Sequence, residues 1–441
     1  MNAVKILSDI ICKTLLDANV LERARLRNGA FKRNCGKLPY WRVVMILMKN
    51  VKKTISASLD EFFTNLCYRF GGSITDTIHC SQQAFSKARA GFSHTVFKEC
   101  FERMLDFLCS PESHSYDKRL MGIWGLQIIA IDGSKIELPN RKHFLEKYGG
   151  TGRDASSPTA LASIAYDVLN KRIIDAQFEP LAVGERNLAK RHIENIRCNN
   201  RLDLLYTMFV FDRGYASSNL ISYIEDNIHG CYLFRLRSKF NVEMDNIPTP
   251  TDGSVADHTL TYNFRKIRVL KFVLPGGVTE TLITNNFDLD KEMFRMLYFL
   301  RWQAETEYDF VKNKIGLTNF RGHSENSVLQ EFWISIVIAN LASSIRVETD
   351  AIIDQTTNKK NNKYRYKTNT NELVGYLSRH FDEYMDAYLD YGNTAMLFDV
   401  IKGIFDYALA HRVRDKKGTN ESNPRNSPRS VKFHYNRKAT H

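Results

Sequence analysis

Three acidic residues stand where a chain can use them for phosphate chemistry. Asp132 closes the apolar run IIAID and is followed by GSKIEL, and Asp212 closes TMFVFD and is followed by Arg213, Gly214 and Tyr215. A carboxylate in so apolar a stretch has to be paired, metal-bound or at the edge of a sheet. In open α/β sheets the crevice beyond the carboxyl ends of the strands is the usual ligand site. Taken singly, each aspartate also reads as a cap on the turn or helix that follows it.

The third acid comes from helical geometry. At about 100° per residue, Tyr298, Arg301, Glu305 and Lys312 fall within roughly 60° of one another, so one face carries an aromatic, a carboxylate and two cations. Trp302 lies at the edge of that stripe. The same spacing also suits salt bridges on a solvated helix. Glu307 points to the opposite face, whereas Asp309 lies one turn beyond Glu305 on nearly the same face, so geometry alone prefers Glu305 to Asp309 only modestly. Phosphodiester transfer by two divalent ions needs carboxylates gathered in one crevice to bridge and neutralise them. Oxygen-only ligands fit Mg²⁺, with Mn²⁺ as a substitute, and no His or Cys cluster argues for zinc.

These residues need a sheet and a long helix to position them, and the sequence supplies both patterns. From about residue 126, LQIIAID, TALASIAYDV and RIIDAQFEPL read as strands, followed by a helix from Glu185 to about Asn200. YTMFVFD reads as a strand, SSNLISYIEDNI as a helix and CYLFRLR as a strand. Three strands, a helix, a strand, a helix and a strand is the order of an RNase H-like layer, which sets the fold class as α/β. Residues 238–288 interrupt it with HTLTYNF, IRVLKFVL and TETLITN, read as a β-rich insertion between the second Asp and the Glu. A helix from about Asp290 to Lys314 resumes the core.

The flanks are helical. Residues 1–120 show apolar residues at three- and four-residue spacing, and within them TDTIHCSQQAFSKARAGFS reads as two short helices and a turn, which either expose Gln82, Gln83, Lys87 and Arg89 to DNA or serve plain packing. The stretch VLQEFWISIVIANLASSI is apolar nearly all round and reads as a buried helix covering the sheet. QTTNKKNNKYRYKTNT reads as a basic loop, followed by two amphipathic helices and, from 416, a basic disordered tail. The expected division is 1–120 for an N-terminal DNA-binding region, 121–237 and 289–345 for the catalytic core, 238–288 for the insertion, 346–415 for C-terminal helices and 416–441 for the tail.

Composition narrows the class. Across 441 residues, 62 Lys and Arg against 49 Asp and Glu give a net charge of +13, which favours a polyanionic partner such as nucleic acid. The eight cysteines form no CxxC pair, which argues against a zinc ribbon or a disulfide framework. The N-terminal stretch reads as an amphipathic helix and not as a signal peptide, and no uninterrupted apolar run approaches the roughly 20 residues needed to span a bilayer. A cytoplasmic, nucleoid-associated protein with no membrane partner is the expectation.

Together these pieces resemble the IS4 family of bacterial insertion-sequence transposases. The resemblance rests on Tyr298, Arg301, Glu305 and Lys312 at the family's spacing on the last core helix, with Trp302 after the Arg. It extends to DGS at Asp132, FDRGY around Asp212, ERNLA at Glu185, LITN, LQEFWISIVIANLA and QQAFSKAR, covering roughly residues 80 to 345. It implies an RNase H-like fold, Asp132, Asp212 and Glu305 as catalytic metal ligands, and Tyr298, Arg301 and Lys312 as contacts to phosphates at the transposon end. It makes Trp302 a stacking partner for a displaced base, a role that an indole face suits and that core packing rivals. The partners implied are double-stranded DNA, as terminal inverted repeats and target, and a second copy of the chain on paired ends. The rival readings are an RNase H-like nuclease without strand transfer and a domesticated, inactive transposase that only binds DNA.

Overall fold

The computed structural model describes residues 2–32, 36–49, 54–69, 78–110, 125–274, 277–310, 320–359, 364–389 and 394–415. The chain divides into two compact units, one of Met1–Met104 with Val311–His441 and one of Leu105–Phe310. The first unit opens with α1 (Asn2–Leu16), α2 (Ala18–Ala24), α3 (Tyr40–Met48), α4 (Ile55–Arg69), α5 (Gln82–Arg89) and α6 (Thr95–Leu108). Helix α1 buries Val4, Leu7, Ile11 and Leu15, the three- and four-residue repeat of one helical face. Asp17 starts α2 by accepting the Asn19 N–H at 2.8 Å, and Ser81 starts α5 by accepting the Ala84 N–H at 3.2 Å. Of the four residues expected to face DNA around α5, Gln82, Gln83 and Lys87 are exposed. Arg89 is not: it is 3% exposed, drawn inward by partners on the helix that starts at Glu325. The start of that expected helical pair, residues 75–77, lies outside the described residues, and residues 78–81 are not helical.

The second unit is a mixed α/β structure. Its strands are β1 (Gln127–Glu137), β2 (Gly150–Thr151), β3 (Ser157–Asp167), β4 (Arg172–Pro180), β5 (Thr207–Phe211), β6 (Cys231–Arg235), β7 (Ala256–Tyr262), β8 (Arg265–Val273) and β9 (Thr279–Thr284). All join one sheet, with β4 antiparallel to β3, β3 antiparallel to β1, and β5 and β6 parallel to β1 and to each other. In the order β4-β3-β1-β5-β6, β3 alone runs against the other four strands. Beyond it, β9 pairs antiparallel with β6, β8 with β9 and β7 with β8. The strands read as an insertion therefore continue the core sheet past β6 instead of building a layer of their own.

Helices α7 (Lys142–Tyr148), α8 (Glu185–Asn199), α9 (Ser218–Tyr223), α10 (Val242–Asp245) and α11 (Lys291–Asp309) belong to this unit. Helix α8 packs on β1, β3 and β4 through Leu188, Ala189, Ile193 and Ile196. Helix α11 packs on β1 and β5. Asp290 starts α11, its side chain accepting the Glu292 N–H at 2.9 Å.

The first unit is completed by α12 (Glu325–Lys359), α13 (Thr370–Leu389) and α14 (Thr394–Ala410), with the short pair β10 (Tyr366–Lys367) and β11 (Val413–Arg414). Part of the stretch read as a basic loop is thus helical to Lys359, and Tyr366–Lys367 is paired. Helix α12 is long and apolar enough to cross a membrane, yet 89% of its most apolar window is buried within the protein, among α1, α3, α13 and α14. The tail from 416 lies outside the described residues. The seven described cysteines are free thiols.

Candidate active site

Strand register brings the two aspartates together. The last parallel pairs are Ile131 with Phe211 on β5, and Phe211 with Phe234 on β6. One residue further along, Asp132, Asp212 and Arg235 therefore stand at the same level on three neighbouring strands. Side chains alternate faces along a strand, so the three share a face, opposite that of Ile131, Phe211 and Phe234. Asp132 is within β1, not at its end, because β1 runs on to Glu137 against β3.

Helix α11 lays Arg301 and Glu305 over this row. The carboxyl of Asp132 is pushed up to about 6 from 3.8, by burial first. Glu305 and Asp212 add to the rise by like-charge repulsion, while the Gly133 N–H, 2.9 Å from Asp132 Oδ1, and the Arg301 guanidinium oppose it. One carboxyl thus feels both other acids of the expected trio, which ties Glu305 to the same crevice. The side chains of Asp309 and Trp302 and the whole of Lys312 lie outside what is described.

Two cations are interleaved with the acids. Arg301 donates to Glu305 Oε1 at 2.6 Å, realising the salt-bridge spacing read from sequence. Arg235 Nη1 approaches Asp212 Oδ1 at 3.7 Å, and its other terminal nitrogen bonds Glu280, which is 2% exposed. Tyr298 is buried between the two guanidiniums, 5.9 Å from Arg235 and 5.4 Å from Arg301 to the ring centroid. Burial raises the carboxyl of Glu280, with Arg235 opposing, and burial raises the Tyr298 phenol. Arg235 and Glu280 escaped sequence reading. Arg235 carries the same signature as the two aspartates, a charge closing an apolar strand, whereas Glu280 has none, since TETLITN alternates like any half-buried strand.

A buried polar network holds the floor of the site. Ser163 Oγ lies 2.9 Å from the Asp132 carbonyl, which can only accept, so the hydroxyl hydrogen is committed there. His192 Nε2, 2.9 Å from Ser163 Oγ, must then donate to it, while Nδ1 faces Asp175 Oδ2 at 2.5 Å. This reverses the proton direction of a nucleophilic serine, whose histidine accepts. Ser163 and His192 are 0% exposed, so the set positions Asp132 and meets no substrate. From sequence, His192 was one polar residue on the apolar face of α8. Glu185, at the start of α8, lies beside the chain just after each aspartate: a Cβ added at Gly133 would meet its Cγ at 3.5 Å, and one at Gly214 its Oε2 at 3.7 Å. Next to it is an open cavity of about 430 Å³, with Arg186, Asn187, Lys190, Gly214 and Asn219 in its walls.

As the side chains stand, no three metal-binding groups converge on one point among the described residues, because guanidiniums engage Glu305 and Asp212. The donor set nonetheless fits a hard divalent cation. All three acids offer oxygen, Asp132 is held in a field that resists its ionisation, and Asp212 Oδ1 is buried without a hydrogen-bond partner.

The raised Asp132 carboxyl has a stability consequence. The folded chain holds this proton more tightly than the unfolded chain, so stability falls as pH rises from 3.8 to about 6, and above that window the metal-free protein carries a penalty. At 1.36 kcal/mol per pH unit the penalty is roughly 3 kcal/mol. Asp132→Asn is therefore expected to melt at a higher temperature than the parent in chelator near neutral pH, with the gain shrinking toward pH 4. Equal melting temperatures at neutral pH would remove the desolvation account.

Residues 123–341 match the family described as "Transposase DDE domain". The matched stretch spans just under half of the chain, and the likeness is that of this stretch to such a domain. No curated protein matches the chain. Among solved structures, the chain is similar to one titled "Cryo-EM structure of piggyBac transposase synaptic complex with hairpin DNA (SNHP)", at 12% identity and a TM-score of 0.49, over 90% of this chain and 85% of that one.

Proposed function

We propose that the chain is a DNA transposase of the IS4 kind, which cuts at the ends of an insertion sequence and joins the freed ends to target DNA. The observation that carries this reading is the desolvated Asp132 carboxyl, which shares one crevice with Asp212 and Glu305 at the carboxyl side of two parallel strands. Asp132, Asp212 and Glu305 hold the divalent ions, Mg²⁺ or Mn²⁺. When bound, such ions supply Lewis-acid stabilisation of the attacking and leaving oxygens.

In the first step the oxygen of water forms a bond to the phosphorus at the element's end, and the bond to the 3′ oxygen breaks, leaving a 3′-OH and a 5′-phosphate. In the second, that 3′-OH attacks a target phosphodiester; its oxygen gains the phosphorus, and the displaced target 3′ oxygen takes up the proton. Arg301 and Arg235 balance the acids in the free protein and turn to the substrate's phosphates in the complex. Tyr298 holds the two guanidiniums apart. Lys312 adds a phosphate contact and Trp302 a stacking face. Arg186 and Lys190 lie beside the Asp212 turn, where they suit an incoming backbone. Pairing two ends calls for two copies of the chain, and the setting proposed is the bacterial cytoplasm at the nucleoid.

The test incubates the protein with Mg²⁺, a labelled duplex bearing the element's own end, and a target plasmid. Joined product is expected. Cut duplex without joining would replace the reading with a nuclease, and binding without cutting would replace it with a DNA-binding relic.

A further inference from the structure

The unit of Met1–Met104 and Val311–His441 contains a cavity of about 370 Å³ with a charge imbalance in its wall. Its lining includes Gln82, Ser86 and Arg89 of α5, the approach Arg321 and His323, and Asn326 in the first turn of α12. Ser324 caps that turn, its Oγ accepting the Ser327 N–H at 3.2 Å. Gly322 lets the chain pass this close: a Cβ there would lie 2.1 Å from Ser327 Oγ.

Arg89 is saturated. It donates to Gln330 Oε1 at 3.0 Å, to Glu331 Oε1 at 2.9 Å and to the Ser327 carbonyl at 2.9 Å. Glu331 is used up as well, since its second oxygen accepts the Arg321 backbone N–H at 2.7 Å. The Arg321 side chain, by contrast, is more than nine-tenths buried, and its guanidinium makes no hydrogen bond or ion pair among the described residues. Burial lowers its affinity for its proton, with Glu331 opposing and Arg89 adding. Two guanidiniums thus share one carboxylate, leaving one positive charge uncompensated on a largely buried side chain in the cavity wall, a costly arrangement unless an anion completes it. The first turn of a long helix, with the positive end of its dipole, lies in the same wall.

We propose that this cavity is a phosphate subsite, which takes one backbone phosphate of duplex DNA between Arg321 and the first turn of α12. The anion chemistry follows from the unpaired guanidinium; the choice of DNA as its source rests on the transposase reading. A guanidinium fork suits two phosphate oxygens, and the exposed polar residues Gln82 and Ser86 at the mouth suit a sugar-phosphate strand better than an apolar ligand.

The experiment compares full-length wild type, Arg321→Met and Ser86→Glu. Ser86 is exposed on α5, so its variant sets a negative charge at the mouth without disturbing the core and covers the case in which Arg321→Met fails to fold. Tens of millimolar inorganic phosphate, at constant ionic strength, is expected to raise the melting temperature of wild type by about 3 °C and that of neither variant. Duplex binding titrated against NaCl is expected to weaken about tenfold in both variants, with the log–log salt slope shallower by about 0.9, the share of one phosphate. No thermal shift in wild type overturns the subsite. A thermal shift with unchanged salt slopes overturns DNA as the source and leaves a free-anion site. Wild type that binds no duplex at all overturns the transposase reading, whereas equal DNA binding by all three proteins overturns the subsite alone.

Discussion

Glu305→Gln is expected to abolish cutting of a duplex carrying the element's end, by on the order of 10³-fold or more, while binding of that duplex survives. The amide keeps the size and one oxygen of the carboxylate but loses the charge that neutralises a divalent ion. It also loosens Arg301, whose 2.6 Å bond to Glu305 Oε1 loses its charged partner. Freed cationic charge favours DNA, so affinity is expected to hold or to rise slightly. That split between cutting and binding separates a ligand role from a folding defect. Asp132→Asn and Asp212→Asn are expected to behave alike. Undiminished cutting by Glu305→Gln would end its assignment and move attention to Asp309.

A second large effect is expected away from the acids. His192→Ala removes the ring between Asp175 and Ser163, stranding a carboxylate that is 6% exposed and a hydroxyl already committed to the Asp132 carbonyl. The amides of Asn195 and Gln177 remain near Asp175, at 3.2 and 3.4 Å, but neither fills the space of the ring. A buried polar group left without its partner costs about 1 to 3 kcal/mol, and the void adds to it. Denaturant melts of the metal-free protein measure this directly. A loss below about 1 kcal/mol would mean that water replaces the imidazole and that the network carries little.

Much of the core could be read from the chain before any coordinates. Runs such as TMFVFD and RIIDAQFEPL are apolar enough to fix buried strands, and their order fixes the topology once β3 pairs back on β1 and β4 on β3. The helical spacing from Tyr298 to Glu305 was legible for the same reason, because periodicity is a local property. What the sequence hid was non-local. The pairing of β9 with β6, which merges the supposed insertion with the sheet, depends on partners about fifty positions apart. Arg89 looked like an exposed cation on a polar helix; only the arrival of Gln330 and Glu331 explains its burial. Glu280 and the Ser163–His192–Asp175 set gain their meaning from neighbours that no window of sequence contains.

The register of β1 against β5 also sets what kinds of length change the protein tolerates. Asp132 and Asp212 are far apart along the chain, yet they sit one interstrand step from each other, about 4.8 Å between backbones. That distance belongs to the sheet and is independent of the intervening segment. Extra residues in the turn between β3 and β4, or after α8, lengthen a detour and leave the gap between the acids unchanged. A single codon gained or lost between Gln127 and Ile131 would instead turn the Asp132 carboxyl to the opposite face, under α8 and away from α11. Within this unit, tolerance of insertions should therefore switch abruptly at the strand ends, and an in-frame insertion scan would map the site without reference to the chemistry of any side chain.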